Sequence, residues 1–257
     1  MHKRFCRMNQ LLRQPLLVLL LAWAAVPLAG AQKLPPAVRG GEAPNPMCGR
    51  IFTNHYGPYD YRTHRSALQI VEDFHFDAKV EAGLRGINGD VGGDINYTLK
   101  ASPNHHRALI SMTRITEKAR NDRLPGMEWP MECYFDRAIR FRPDDTVVRV
   151  LYAQWLHKRN RTEDGLKHLD VAVTQAGDSG FSHYNIGLMY LELGAAEKAR
   201  QEAYTALKLD FPRQGLIDAL KRAGQWQEPP PAPPPGAASG AASGAASAPV
   251  AAASAGA

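Results

Sequence analysis

Three alanines recur at a fixed interval of 34 residues in the second half of the chain. Ala138, Ala172 and Ala206 each lie in a stretch whose apolar residues are spaced as on one face of a helix. A second pair of small residues, Ala153 and Gly187, is also 34 residues apart. A fixed period of this length indicates one repeated unit that buries its apolar face against the next unit. The sequence therefore predicts an all-α fold built from stacked helix pairs.

The last interval shows the pattern most completely. A first helix is predicted around Tyr184–Tyr190, a turn at Leu193-Gly194, and a second helix around Ala199–Ala206, with Pro212 after it. This pattern resembles the tetratricopeptide repeat, in which a small residue in the first helix lets the paired helix approach. The resemblance implies an α-solenoid of about three helix pairs over residues 104–226, the last part being a cap helix at 215–225.

The other two repeats fit the resemblance less regularly. The second repeat covers residues 146–179 and has Gly165 where alanine is usual, at a cost of about 1 kcal/mol in helix propensity. This repeat is therefore predicted to be the softer one. The first repeat has Pro143 after its second helix, and its first helix is predicted at 104–119. An expanded turn then runs from Asn121 to Pro130.

The family resemblance also implies a binding surface. In tetratricopeptide arrays the first helices line a concave groove that holds a segment of a partner protein. Carried over to this chain, the groove residues are Val150, Gln154, His157 and Lys158 in the second repeat, and Phe181, Tyr184, Asn185, Leu188 and Glu192 in the third. Tyr184 and Leu188 equally suit packing between repeats. Lys158 and Asn185 invite comparison with repeats that clamp a terminal carboxylate, although that motif requires more matching positions.

The first 31 residues have the pattern of a secretory signal. Lys3, Arg4, Arg7 and Arg13 precede an apolar run, and Ala29-Gly30-Ala31 is a small-residue cleavage site. The apolar run is short for a membrane span, which needs about 20 residues. Cleavage after Ala31 would leave a flexible lead, residues 32–47, on a periplasmic or secreted protein.

Removal of the signal also changes the charge balance. The whole chain has 31 basic and 25 acidic residues, and the signal contains four of the basic ones. The remaining chain, with 27 basic and 25 acidic residues, has a net charge of only +2. This charge does not favour binding to nucleic acid.

The C-terminal residues 227–257 are rich in proline, then in alanine, glycine and serine. A segment with so few large apolar residues is predicted to be disordered, with a semi-extended proline run. Cys48 and Cys133 are the two cysteines that remain after the signal, and in an oxidising compartment they are predicted to form a disulfide. Two unpaired thiols are the alternative.

Residues 48–103 are predicted to contain a helix from Ser66 to Leu84, after which the glycines between Gly83 and Gly93 are expected to break regular structure. Glu72 and His75 have the i,i+3 spacing of di-metal bundles, but no second copy of the motif is present. Asn88, Asp90 and Asp94 suggest calcium by spacing, but the distant acidic ligand of such loops is missing.

These observations favour an exported, non-catalytic adaptor that binds a protein partner. The expectation includes no catalytic residue, no metal site and no cofactor, because the usual nucleophile and zinc motifs are missing from the sequence. The alternative places a ligand-binding module, a metal site or a small enzyme in residues 48–103, with the repeats as a scaffold.

Overall fold

Helices are the only regular structure in the part of the chain that the computed structural model describes, residues 46–51 and 56–229. The all-α prediction is confirmed for these residues. A 3₁₀ helix covers Pro46–Cys48, and the α-helices are α1 (Arg65–His75), α2 (Ala78–Glu81), α3 (Val91–Ala101), α4 (His106–Ala119), α5 (Met131–Phe141), α6 (Thr146–His157), α7 (Thr162–Ala176), α8 (Gly180–Glu192), α9 (Ala196–Lys208) and α10 (Gly215–Arg222). The predicted signal, most of the predicted lead and the predicted tail from residue 230 lie outside the described residues.

The helices from α4 onward begin and end close to their predicted positions. The predicted first helix at 104–119 is α4, and the predicted second repeat, 146–179, contains α6 and α7. Ala138, Ala172 and Ala206 are all buried. The 34-residue period therefore marks the same buried position in α5, α7 and α9.

The packing of these helices follows one order. Each of α4, α6 and α8 packs against the helix that follows it, and α5 and α7 pack against the helix after them. In addition, α4 contacts α6, α6 contacts α8, and α8 contacts α10. Thr146 Oγ1 and Ser182 Oγ are 3.2 Å apart near the starts of α6 and α8, while Gln154 donates to Glu192 near their ends. These two helices therefore lie side by side and parallel.

Glycine allows the closest of these approaches. A Cβ atom on Gly165 of α7 would lie 2.9 Å from the carbonyl oxygen of Ala153 on α6. A Cβ on Gly187 of α8 would lie 2.5 Å from Leu216 Cδ2 on α10. The missing side chains thus allow these helices to approach closely.

Two expectations for the N-terminal segment are wrong. The single helix predicted from Ser66 to Leu84 is interrupted after His75, where the Asp77 carboxylate accepts hydrogen bonds from the first backbone N–H groups of α2. The glycine-rich stretch does not end in a break, because Gly92 and Gly93 lie inside α3. A Cβ on Gly92 would lie 2.5 Å from the carbonyl oxygen of Pro125, so glycine here makes room for the loop after α4.

Two of the apolar core clusters meet in α6. One cluster joins the segment around Cys48 to α3, α4, α5 and one side of α6, where it includes Leu156. The next begins with Ala153 and continues through α7, α8 and α9 to α10. Residues 48–103 and the predicted first repeat thus share one core.

The predicted disulfide is present and fastens the start of the described chain to α5. The Sγ atoms of Cys48 and Cys133 are 2.08 Å apart, with their Cα atoms 4.9 Å apart. Arg137, also on α5, donates to the Cys48 carbonyl oxygen at 3.2 Å and stacks over Trp129. The disulfide prediction is confirmed.

Candidate binding surface

We call α4, α6 and α8 the first-helix layer, because they occupy the positions of the predicted first helices. Its C-terminal end is polar. Lys158 Nζ donates to Glu117 Oε2 at 3.0 Å, linking α6 to α4, and Gln154 Nε2 lies 3.3 Å from Glu192 Oε1, linking α6 to α8. Beside the first of these links is a cleft of about 340 Å³, lined by Thr116, Glu117, Arg120, Asp122, Lys158 and Arg159.

At the opposite end of the layer, the start of α8 is aromatic. Phe181 on α8 is 51% exposed, and its ring centroid lies 6.4 Å from that of Phe211, in the loop after α9. The Tyr184 ring, one turn along α8, lies 5.3 Å from the same phenylalanine. We call Phe181, Tyr184 and Phe211 the aromatic patch. A small recess beside it is lined by both Tyr184 and Phe211 and by Arg213.

The remaining predicted groove residues have more local contacts. Val150, Tyr184 and Leu188 are half-buried against the second core cluster, and packing between repeats was the alternative given for Tyr184 and Leu188. Asn185 Nδ2 donates to the Phe181 carbonyl oxygen within α8. His157 Nδ1 lies 2.9 Å from Thr162 Oγ1, at the start of α7. The layer therefore brings Gln154 and Glu192 together, but directs Asn185 and His157 to partners within their own repeats.

Sequence reasoning missed a chain of hydrogen bonds that joins successive turns, which we call the turn ladder and define as Asp60, Asn104, His106 and Asp145. Asn104 Nδ2 donates to Asp60 Oδ1 and to Asp145 Oδ2, both at 2.8 Å. His106 Nε2 lies 2.8 Å from Asp145 Oδ2. Asp145 Oδ1 accepts from the backbone of Val147 and so caps α6. The ladder fixes the N-terminal ends of α4 and α6 relative to each other.

A repeated turn in the sequence is the signal that would have revealed the ladder. The turn after α3 contains Pro103-Asn104-His105, and the turn after α5 contains Pro143-Asp144-Asp145. In both turns the third of these residues donates its backbone N–H to the residue before the proline and caps the next helix with its side chain. The connection from α3 to α4 thus has the same form as the connection from α5 to α6.

The buried carboxylate of Asp60 is held ionised by its partners. Burial alone would raise the pKa of Asp60, but hydrogen bonds from Arg62 and Asn104 outweigh burial and hold that pKa far below its usual range. Arg142 Nε also lies 3.0 Å from Asp60 Oδ2. The carboxylate is therefore a permanent acceptor rather than a proton donor at neutral pH.

Two histidine–carboxylate pairs lie near the N-terminal helices. His105 Nε2 is 2.9 Å from Glu72 Oε1, and its Nδ1 accepts from the backbone N–H of Ala108. Burial lowers the pKa of His105, and the hydrogen bond from this ring lowers the pKa of Glu72. His105 is therefore a neutral, fully engaged helix cap, and no ring nitrogen is left to act as a catalytic base.

The second pair is His75 with Asp94, and it shows that the residues considered for metal binding have different partners. Glu72 faces His105, while His75 Nδ1 is 2.9 Å from Asp94 Oδ1, so the i,i+3 pair does not converge on one site. Asp94 Oδ2 accepts from the backbone N–H groups of Ile87 and Asn88, which leaves it poorly placed to hold calcium. Within residues 46–51 and 56–229, no group of three or more His, Cys, Asp or Glu side chains is arranged to hold a metal ion.

Comparisons of the chain with protein-family models, curated proteins and solved structures gave no match. None of the helices described here has the length and apolar character needed to cross a membrane.

Proposed function

We propose that this protein is an exported, non-catalytic scaffold of the tetratricopeptide type that holds a segment of a partner protein along the first-helix layer. The parallel, side-by-side arrangement of α4, α6 and α8 is the observation that carries this proposal. A single extended segment laid across parallel helices contacts all of them, and the exposed groups change along the layer from charged to aromatic.

The solenoid part of the proposal is supported by the steps between equivalent helices. First helices start at Thr146, Gly180 and Gly215, which are steps of 34 and 35 residues. The shared turn geometry after α3 and α5 supports counting α1, α2 and α3 as a further pair, because α1 packs on α3 and α3 packs on α4. We therefore propose four helix pairs and the cap helix α10, instead of the three pairs that the sequence resemblance implied.

A scaffold role is also supported by the histidines. His183 has Nδ1 2.6 Å from Glu202 Oε2 and Nε2 2.8 Å from the Gly177 carbonyl oxygen, so this buried ring joins the end of α7 to α8 and α9. His105 is also engaged at both ring nitrogens, by Glu72 and by the backbone N–H of Ala108, at the start of α4. Both side chains serve packing between helices. Export is supported by the Cys48–Cys133 disulfide, since structural disulfides persist in oxidising compartments.

Partner capture with two matched double variants tests the proposal. Lys158→Glu with Phe181→Ser changes both ends of the first-helix layer at exposed side chains. Lys167→Glu with Phe74→Ser is the control, because Lys167 on α7 and Phe74 on α1 are at least as exposed. Each chain is immobilised and exposed to an envelope extract, and the retained proteins are identified by mass spectrometry.

We expect the natural chain and the control to retain the same partner, and the layer variant to lose it. Circular dichroism of each variant verifies that the helices are intact. A partner that the layer variant retains would contradict the proposed site. Loss in the control alone would also contradict the proposed site, and loss again in Phe74→Ser alone would assign binding to α1 and favour the alternative, in which the N-terminal segment is the functional unit.

A further inference from the structure

We propose that the proline run of this chain, residues 229–235, docks on the aromatic patch of the same molecule and limits access to the first-helix layer; its regulatory part rests on the function proposed above. The run begins at the last described residue, Pro229, and six of its seven residues are proline. The inference rests on the direction of the chain, the length of the run and the chemistry of the patch.

The chain after α10 is directed toward the end of α9 that bears Phe211. Arg200 Nη1 donates to the Gln225 carbonyl oxygen at 3.0 Å, and Tyr204 Oη donates to the Gln227 carbonyl oxygen at 2.9 Å. Arg200 and Tyr204 are one turn apart on α9, so residues 225–227 advance along that helix toward its C-terminal end. The Trp226 ring packs edge-on against the Tyr204 ring, with the centroids 5.6 Å apart, and fixes this path.

The length of the run is sufficient to reach the patch. From Tyr204 to the last residue of α9, Lys208, the helix advances about 6 Å at the helical rise of ~1.5 Å per residue, and Phe211 follows three residues later in the chain. A proline-rich segment extends by about 3 Å per residue, so the seven residues of the run span about 20 Å. This length covers the distance past the end of α9 and onto the start of α8, where Phe181 lies.

The patch has the chemistry that proline segments bind. Prolines in the polyproline II conformation dock on exposed aromatic rings at a small entropic cost, because the conformation is already formed. Phe181 is half exposed and is backed by the rings of Tyr184 and Phe211. The run has no charged residue, whereas the opposite end of the layer has the Lys158–Glu117 ion pair. An uncharged ligand therefore fits the aromatic end and not the polar one.

Docking within one molecule has a consequence for binding. A short tether holds the run near the patch at an effective concentration on the order of millimolar. A partner segment must displace the run before it contacts Phe181. The tail thus acts as a competitive internal ligand of the proposed groove.

Photo-crosslinking in the full chain tests the docking. Phe181→p-benzoylphenylalanine places a photoreactive ring on the patch. Phe74→p-benzoylphenylalanine is the matched control, because Phe74 is an exposed phenylalanine on α1. We expect crosslinks from position 181 to residues 228–236, with a yield about tenfold above the control and independent of dilution, as for an intramolecular contact. Replacing the six prolines by serine in the position-181 chain should abolish these crosslinks.

Two results would overturn the inference: no tail peptide crosslinked to position 181, or crosslinks only in dimers, which would show docking between copies. The regulatory part is tested by partner capture, where the chain with serine in place of the six prolines should retain more partner than the natural chain. An equal amount would refute regulation. If the crosslinks form but no partner is captured by any chain, the docking stands and the proposed adaptor function fails.

Discussion

At the scale of single residues, glycines inside helices differ in what their missing side chain allows. Gly165 is buried where α7 crosses α6, and an added Cβ would also lie 3.1 Å from Leu193 Cδ2. Gly93, inside α3, is different, because its Cβ would meet only the Cα atom of Gly126, at 3.6 Å, and the oxygen of the same residue, at 3.9 Å. Helix propensity alone marks both glycines as weak points, but Gly165 is a packing requirement and Gly93 is a replaceable residue.

Opposite effects on stability are therefore expected for two glycine-to-alanine substitutions. Gly93→Ala should stabilise by about 0.5–1 kcal/mol through helix propensity alone. Gly165→Ala gains the same propensity but forces α6 and α7 apart, and should destabilise by a net amount on the order of 1 kcal/mol. Urea unfolding at neutral pH measures both free energies. Equal stabilisation by the two substitutions would contradict this expectation, because it would show that a Cβ atom at position 165 fits between α6 and α7 without loss of stability.

A second effect at the residue scale is a dependence of stability on pH. Burial, together with the Arg149 guanidinium, lowers the pKa of His168 to about 4; Arg161 acts in the same direction, and Asp164 and Glu132 oppose it. A histidine in the unfolded chain titrates near 6.5, so between pH 6.5 and 4 the unfolded state binds more protons. This contribution to stability is present above pH 6.5 and is lost as the pH falls, by on the order of 2 kcal/mol at pH 5.

The measurement is urea unfolding of the natural chain and of His168→Gln at pH 7 and pH 5. We expect the loss of stability between these pH values to be smaller in the variant. It should not vanish, because burial also lowers the pKa of His105. His157→Gln, at a half-buried histidine at the end of α6, is the control for the loss of an imidazole. An unchanged loss in His168→Gln would assign the effect to other groups.

At the scale of helices and turns, the turn ladder gives the adjacent residues Asp144 and Asp145 different contributions to stability. Asp145 is buried, caps α6 and accepts from Asn104 and His106, whereas Asp144 has a side chain that is 42% exposed and pairs with Arg62 and Arg142. Asp145→Ala removes the cap and leaves buried donors without an acceptor, and should destabilise by about 3 kcal/mol. Asp144→Ala breaks ion pairs that are partly open to solvent and should cost less, about 1 kcal/mol.

Thermal unfolding of the two alanine variants under identical conditions tests this difference. Asn104→Ala should resemble Asp145→Ala, because it removes the donor shared by Asp60 and Asp145. Similar small losses in all three variants would mean that the ladder does not hold the turns together.

The sequence patterns predicted the positions of the helices more accurately than they predicted the contacts between helices. Pro143 and Pro212 follow α5 and α9 as expected, and the small residues Ala153 and Gly187 are buried where first helices meet their neighbours. The helix α3 was missed because a local pattern treats Gly92 as a breaker, while its actual constraint is the carbonyl oxygen of Pro125, 33 residues away.

The candidate surface was predictable only in part, for the same reason. The family resemblance placed Phe181 and Gln154 on first helices, where the structure has them, whereas Lys158 is the residue directly after α6. The resemblance gave no information on which side chains would pair across helices, because the links of Lys158 to Glu117 and of Gln154 to Glu192 span 41 and 38 residues. Such pairs depend on how the helices stack, which a single helical pattern does not contain.

At the scale of the whole molecule, a stack in which each helix pair touches only its neighbours should lose stability locally. The core clusters meet in α6, with Leu156 in one and Ala153 in the other. Leu216 on the cap helix α10 is buried against Gly187 of α8. Leu99 on α3 is equally buried in the first cluster. These two leucines therefore report on opposite ends of the array.

Leu216→Ala creates a cavity that should cost about 2–5 kcal/mol, and in a nearest-neighbour stack this loss opens the adjacent pairs first. Amide hydrogen exchange of the variant should therefore speed up in α8, α9 and α10 while α3 and α4 keep the protection of the natural chain. Leu99→Ala should give the reverse pattern, faster exchange in α1, α3 and α4 and little change in α9. If either substitution instead accelerates exchange evenly across every helix, the described chain unfolds as one cooperative unit, and the proposed solenoid, in which coupling declines from one pair to the next, is contradicted.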